Sequence, residues 1–205
     1  MDKVLAILEM SSAAELTAVA LAIVYVVFAI RQSLWCWPAA IASASIFSWL
    51  FYHGQLYMEA GLQAYYVVIA FYGFWVWRNG ARNGPAPISI KPLGFHVVWI
   101  FLLLVSSIVI SIYLRLHTDA VFPELDTVTT LFSLFTTYLV ARKILENWLY
   151  WIVINSLYVW LFMLKEFYVT GILFAVYVIM SIIGFYRWRQ DYRQGFKSQS
   201  VPARV

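Results

Sequence analysis

The sequence predicts an all-α membrane protein of seven transmembrane helices, arranged as 3+1+3 with the two triplets as parallel repeats. Three observations predict it. Hydrophobic residues make up 63% of the chain and charged residues only 12%, about half the charged share of a soluble domain. Seven apolar runs each approach the ~20 residues a helix needs to cross the hydrocarbon. Sliding the chain by 111 residues brings 17 identities into register over the 48 positions from Arg31 to Arg78, without a gap.

The runs fall near 13–30, 35–52, 61–77, 95–114, 127–141, 147–164 and 169–187. The fifth is diluted by Thr127, Thr129, Thr130, Ser133, Thr136 and Thr137. Such hydroxyls return to backbone carbonyls, so the helix survives, and they suit a face turned to protein rather than lipid. Trp and Tyr crowd several run ends, as an interfacial belt does. Between runs the loops are short. The longest connection, with Gly80, Gly84, Pro85, Pro87 and Pro92, is a linker. The expected organisation is a first three-helix unit over 13–78, a cytoplasmic linker over 79–94 and a linker helix over 95–117. A second three-helix unit over 127–188 and a polar cytoplasmic tail over 189–205 complete it. The N-terminus, Met1-Asp2-Lys3, lacks a basic region followed by a small-residue cleavage site, so the first run is expected to be a permanent span.

Charge sets the expected orientation. Arg31, Arg78, Arg82, Lys91, Arg142, Lys143, Arg187, Arg189, Arg193, Lys197 and Arg204 fall on one side, against Lys3, Arg115 and Lys165 on the other. Eleven against three predicts the N-terminus outside and the C-terminus in the cytoplasm. The net charge of +4 is explained by these loops, so no nucleic-acid partner is expected. The single cysteine, Cys36, allows no intramolecular disulfide and no thiolate metal cluster.

The repeat runs through Arg31/Arg142, Trp37/Trp148, Ser45/Ser156, Trp49/Trp160, Tyr66/Tyr177, Gly73/Gly184, Trp77/Trp188 and Arg78/Arg189, among others. Hydrophobic bias alone seldom places Trp, Gly and Arg in register. An odd number of helices would invert the second unit, and the intervening helix restores its direction, giving parallel repeats about an axis along the membrane normal. This arrangement resembles the architecture of the SWEET sugar transporters, with a substrate site between the units near the midplane.

No catalytic or metal-binding constellation is read. His53, His96 and His117 are far apart in the chain, and no H-E-x-x-H, Walker A or G-x-S-x-G pattern is present. Each His reads first as a helix-end or loop residue. Charged residues are nearly absent from the span centres, which argues against a proton relay or voltage sensor and for passive transport without a cofactor.

The signal that remains is aromatic and amide. On a helix, Trp148, Trp151, Asn155, Tyr158 and Phe162 share one face. Asn155 lies about 12 Å along that helix from Asn147 at ~1.5 Å per residue, close to the bilayer middle, where an amide is costly unless it faces protein, cavity or substrate. Two readings follow for Asn155: a pocket for a flat polar ring, or an interhelical hydrogen bond. Trp151 reads as pocket wall. Trp148 divides between an inner gate and an interfacial anchor. The first-unit counterparts of Trp148, Trp151, Asn155 and Tyr158 are Trp37, Ala40, Ala44 and Phe47, so one unit supplies ring and amide while the other leaves room. Gln63 and Tyr66 are weaker candidates, Gln63 equally an interfacial polar residue. Ser43 and Ser45 more often permit close helix packing.

Arg142-Lys143 followed by Glu146-Asn147-Trp148, Trp151 and Asn155 resembles the W-x-x-W-x-x-x-N signature of the PnuC-type vitamin transporters. Gln55-Leu56-Tyr57, Leu62-Gln63 and Tyr72-Gly73 with Trp77 resemble that family's second and third helices, and the likeness runs from about Ala14 to Trp188. The resemblance implies facilitated uptake of a vitamin or precursor across the bacterial inner membrane, trapping by a cytoplasmic vitamin kinase, and homotrimers in the lipid with one pathway per protomer. Substrates of such transporters include nicotinamide riboside, thiamine and riboflavin. The first two are cationic heteroaromatics, for which indoles offer stacking and cation–π attraction of about 0.5–2 kcal/mol. Nicotinamide riboside transporters of this kind carry an Asn on helix two, near Ser43 here. The small apolar first-unit pocket, Ala40 and Ala44, leaves fewer hydrogen bonds for a ribose and carboxamide. That favours the thiamine branch, with nicotinamide riboside as the alternative and a SWEET-type sugar transporter as a further one.

Overall fold

The computed structural model describes residues 13–55, 57–80, 87–118, 123–164 and 168–199. The expectations for the N-terminus before residue 13, for linker residues 81–86 and for the tail beyond 199 lie outside the described residues. The described chain is all α: α1 (Ala13–Ile30), α2 (Cys36–His53), α3 (Tyr57–Gly80), α4 (Leu93–His117), α5 (Pro123–Ala141), α6 (Asn147–Leu164) and α7 (Tyr168–Gln199).

Seven helices match the seven apolar runs, but the seven-span 3+1+3 SWEET-like architecture is corrected on two counts. Among the described residues, only five helical stretches are long and apolar enough to cross a membrane: Ala13–Ile30, Glu59–Gly80, Leu93–His117, Asn147–Leu164 and Thr170–Gly195. Neither α2 nor α5 is among them. In α2, Ser43, Ser45, Ser48 and His53 lower the apolar character, and in α5 the acids Glu124 and Asp126 join the run of threonines. The second count is the place of α4. The chain divides into two compact units, Met1–Pro85 and Ala86–Val205. The helix between the triplets falls within the second unit.

In the first unit α2 packs against α1 and α3. Ser43 of α2 donates a hydrogen bond of 2.8 Å to the Ala18 carbonyl of α1, where the small Ala18 is fully buried. Small residues at this crossing let the backbones approach. At the other seam, Gly73 of α3 lies under the Trp37 ring, so closely that a Cβ there would overlap the indole. Trp77 meets Trp37 edge-on, with ring centroids 5.3 Å apart.

In the second unit α5 packs against α4 and α6, and α6 against α7. Trp99 of α4 stacks on Phe135 of α5 with centroids 4.9 Å apart. Phe135, Leu139 and Ile144 form a core that Phe95, Leu103 and Tyr150 cover. Helix α5 is the most enclosed element: Thr127, Thr129, Ser133, Thr136 and Thr137 are all buried. Its hydroxyls return to the backbone as expected, Thr136 to the Phe132 carbonyl at 2.6 Å and Thr137 to that of Ser133 at 2.8 Å.

One local structure is built twice. Helices α1 and α5 both end on a non-glycine residue in the left-handed region, Gln32 at φ 53° and Lys143 at φ 51°. The Ser33 amide then bonds the Phe28 carbonyl at 2.9 Å, and the Ile144 amide bonds that of Leu139 at 3.0 Å. Both are Schellman ends, set 111 residues apart like the sequence identities.

Candidate functional site

Helix α6 follows the second of these corners directly. Its first residue, Asn147, is fully buried and bonds back to the Ile144 carbonyl at 2.6 Å through its side-chain amide. Trp148 comes next, 3% exposed. Its ring fills the space over Gly184 of α7, where a Cβ would come within 2.6–2.7 Å of indole carbons. Trp188 meets it edge-on at 5.5 Å and 85°. Trp148 therefore sits inside the α6–α7 seam, and its indole N–H is buried without a partner.

Trp151, one turn on, is half-buried. Asn155, 5% exposed, donates its side-chain amide to the Ser181 hydroxyl of α7 at 3.3 Å, and Ser181 donates to the Tyr177 carbonyl at 2.7 Å. Both readings of Asn155 therefore have a physical basis: the amide makes an interhelical bond and lies one turn from a half-buried indole. Tyr158 turns its phenol toward the hydroxyls of Thr129, Ser133 and Thr130 on α5. Its ring packs on Phe174 of α7 at 4.6 Å and on Phe162 at 6.1 Å.

The first-unit candidates lie on α2 and α3. Ser43 is held by its bond to Ala18. Phe47 is half-buried and stacks on Phe51 at 5.7 Å. Gln63 and Tyr66 are half-buried on α3, and Tyr66 lies edge-on to Tyr65 at 5.9 Å. Ser45 is exposed. The structure thus gathers Trp151, Asn155 and Tyr158 on one helix of the second unit, with partners from α5 and α7 that sequence reasoning did not name. Those partners are Ser181 and the hydroxyl row Thr129, Thr130 and Ser133. The threonine-rich fifth run carried the signal for the row, and nothing local in the sequence marked Ser181.

A buried polar row on α5 among apolar, membrane-length helices is the build of a multi-pass membrane protein. Residues 12–190 match the family described as "Nicotinamide mononucleotide transporter", and the chain belongs to that family. This places it among transport proteins, not enzymes. It is 23% identical over 180 residues to the nicotinamide riboside transporter PnuC of Escherichia coli, covering 75% of each chain. It is 26% identical over 180 residues to PnuC of Neisseria mucosa, covering 81% of this chain and 68% of that one. The riboflavin/roseoflavin transporter RibM of Streptomyces davaonensis is 24% identical over 162 residues, with 77% and 76% covered. Among solved structures, that of the vitamin B3 transporter PnuC shares the fold, with a TM-score of 0.74 over 94% of this chain and 87% of that one at 22% identity.

Proposed function

We propose that the chain carries nicotinamide riboside across the bacterial inner membrane by facilitated diffusion, on the face of α6 that presents Trp151, Asn155 and Tyr158. The observation that carries this reading is Asn155, a buried amide in an apolar helix, one turn from a half-buried indole. Trp151 offers the π face that a cationic pyridinium ring needs. Each hydroxyl of Thr129, Thr130 and Ser133 near Tyr158 keeps acceptor capacity, even where its proton is given to a carbonyl. A ribose needs such groups.

That row removes the reason for preferring thiamine. The preference rested on the apolar Ala40 and Ala44 of the first unit, which leave few hydrogen bonds for a ribose. The second unit supplies them from α5 and α7, so nicotinamide riboside replaces thiamine as the favoured substrate. The names of the relatives in Escherichia coli and Neisseria mucosa point the same way. The similarity to RibM supports riboflavin as the second reading.

The reading extends to an N-terminus outside and a C-terminus in the cytoplasm, to a homotrimer with one pathway per protomer, and to a cytoplasmic kinase that traps the product. Titration calorimetry on detergent-purified protein tests the substrate, with nicotinamide riboside, riboflavin, thiamine and a hexose in turn. Saturable binding of nicotinamide riboside well ahead of the others is expected. Preferential binding of riboflavin would select the second reading, and of a hexose would remove both.

A further inference from the structure

At the opening of α6, a titratable cluster that the transport face does not use ties three elements together. Segment Ser89–Lys91, which leads into α4, is zipped to the α5–α6 corner by a parallel bridge. The Ser89 amide bonds the Lys143 carbonyl at 3.0 Å, and the Leu145 amide bonds the Ser89 carbonyl at 2.9 Å. Two residues on, the Lys91 amide donates to Glu146 Oε1 at 3.1 Å. The same carboxylate oxygen lies 3.7 Å from His96 Nε2 of α4. His96 Nδ1 is 3.0 Å from the Tyr150 hydroxyl of α6. Both ionisable side chains are largely out of solvent, His96 at 11% and Glu146 at 16% exposure. Glu146 Oε2 is fully buried without a hydrogen-bond partner.

A carboxylate is costly to enclose unless it is hydrogen-bonded or paired, and the Lys91 amide and the His96 ring supply that for Oε1. What the cluster holds is the start of α6. Glu146 immediately precedes the helix, and Tyr150 immediately precedes Trp151. The Tyr150 ring is gripped by Phe135 at 5.8 Å and Phe132 at 6.3 Å, while its hydroxyl is fixed by His96. A helix is stiff over two turns, so fixing the azimuth at Tyr150 fixes where Trp151 and Asn155 point.

We propose that Glu146, His96 and Tyr150 act as one set of positioning residues, which presets the orientation of α6 and thereby the affinity for substrate, without touching it. The inference rests on the reading of α6 as the substrate face. Sites held by such supporting contacts lose affinity when the support is loosened, even though every direct contact is still available.

Tyr150→Phe is the most telling variant, because it keeps the ring that packs on Phe132 and Phe135 and removes only the hydroxyl. Calorimetry with nicotinamide riboside, riboflavin and thiamine, run well below the melting temperature, reads the effect. Tyr150→Phe, His96→Gln and Glu146→Gln should each raise Kd about three- to tenfold, the worth of one net hydrogen bond. The His96→Gln/Glu146→Gln double should be no worse than the weaker-binding single, because the residues act as a unit. A packing role alone would lower the melting temperature and leave Kd where it was. Wild-type affinity in Tyr150→Phe and His96→Gln overturns the proposal, whatever the α6 variants do. If these two weaken binding while Trp151→Ala and Asn155→Leu do not, the reading of α6 as the substrate face fails, and positioning through α6 falls with it.

Discussion

Trp148 and Trp188 meet edge-on with centroids 5.5 Å apart, and a Cβ on Gly184 would reach within 2.6 Å of the Trp148 ring. The Trp148 indole is buried between the two, 3% exposed. Gly184→Ala should therefore destabilise the protein by about 1–3 kcal/mol, the usual cost of overpacking. Gly73→Ala, beneath Trp37 in the first unit, should behave alike. Gly61→Ala is the control: nothing lies within 4 Å of the added carbon, and alanine favours a helix over glycine by about 1 kcal/mol. Melting temperatures in detergent should fall for the first two variants and hold or rise for the third. Equal behaviour in all three would mean the two seams are looser than their geometry indicates.

How much of this was legible in the chain differs by distance along it. The run read at 35–52 falls within a residue of α2, and the run read from 147 starts where α6 does, because polar turns precede both. The ends of α3, α5 and α7 were read short. Hydrophobicity stops before the helix does, and α7 continues to Gln199 through charged residues. The same signal overstated the architecture: serines, threonines and acids dilute the runs of α2 and α5, which are not among the described helices long and apolar enough to cross a membrane. Within the site, α6 could be read from its own spacing. Trp148 could not, because its role depends on Gly184, brought to it by another helix. Nor could His96, Glu146 and Tyr150, since the contact of His96 with Tyr150 spans 54 residues. Periodicity reports which face is polar, not which remote side chain meets it.

The proposed orientation rests on Arg187, Arg189, Arg193, Lys197 and Arg204 at the C-terminal end, which the positive-inside rule puts in the cytoplasm. A reporter fused after Val205 should read cytoplasmic, and one fused ahead of α1 should read external. A C-terminus exposed to external protease would reverse the assignment of every loop.

Uptake should run only down the substrate's own gradient. Among the described residues, the acids on helices are Glu15, Glu59, Glu124 and Asp126 in first turns and Asp191 in the charged C-terminal part of α7. A cationic substrate still responds to membrane potential, by about 2.3 kcal/mol per 100 mV per charge. The decisive measurement is uptake into proteoliposomes at clamped potential with an imposed proton or sodium gradient. Accumulation above equilibrium under either gradient would sink the facilitator reading.

Trp151→Ala should weaken binding of nicotinamide riboside by about 1–3 kcal/mol, through loss of stacking and cation–π attraction. Trp160→Ala is the control on the same helix. It is 57% exposed and five residues from Asn155, so it points elsewhere. Calorimetry should show a large loss for the first and none beyond error for the second. Equal effects would place the ring's partner off this face.

Asn155 and Ser181 offer a test that separates the two roles an intramembrane amide can have. Their counterparts in the first unit, 111 residues earlier, are Ala44 and Ala70, both buried at 6% and 1% exposure. One unit thus carries a hydrogen-bonded polar pair where the other carries two methyl groups. Ser181→Ala leaves the Asn155 amide enclosed without its partner and should cost about 1–3 kcal/mol of stability. Removing both partners is far less costly than removing one, so Asn155→Ala/Ser181→Ala should recover much of that loss by recreating the apolar pair. Binding should not follow stability. If Asn155 also reads the substrate, the double variant will be nearly as stable as wild type yet bind nicotinamide riboside at least about tenfold more weakly, the worth of a hydrogen bond left unmade. Melting temperature and calorimetric Kd on the same preparations decide it. A double variant that is stable and binds as wild type does would leave Asn155 an interhelical tie and nothing more.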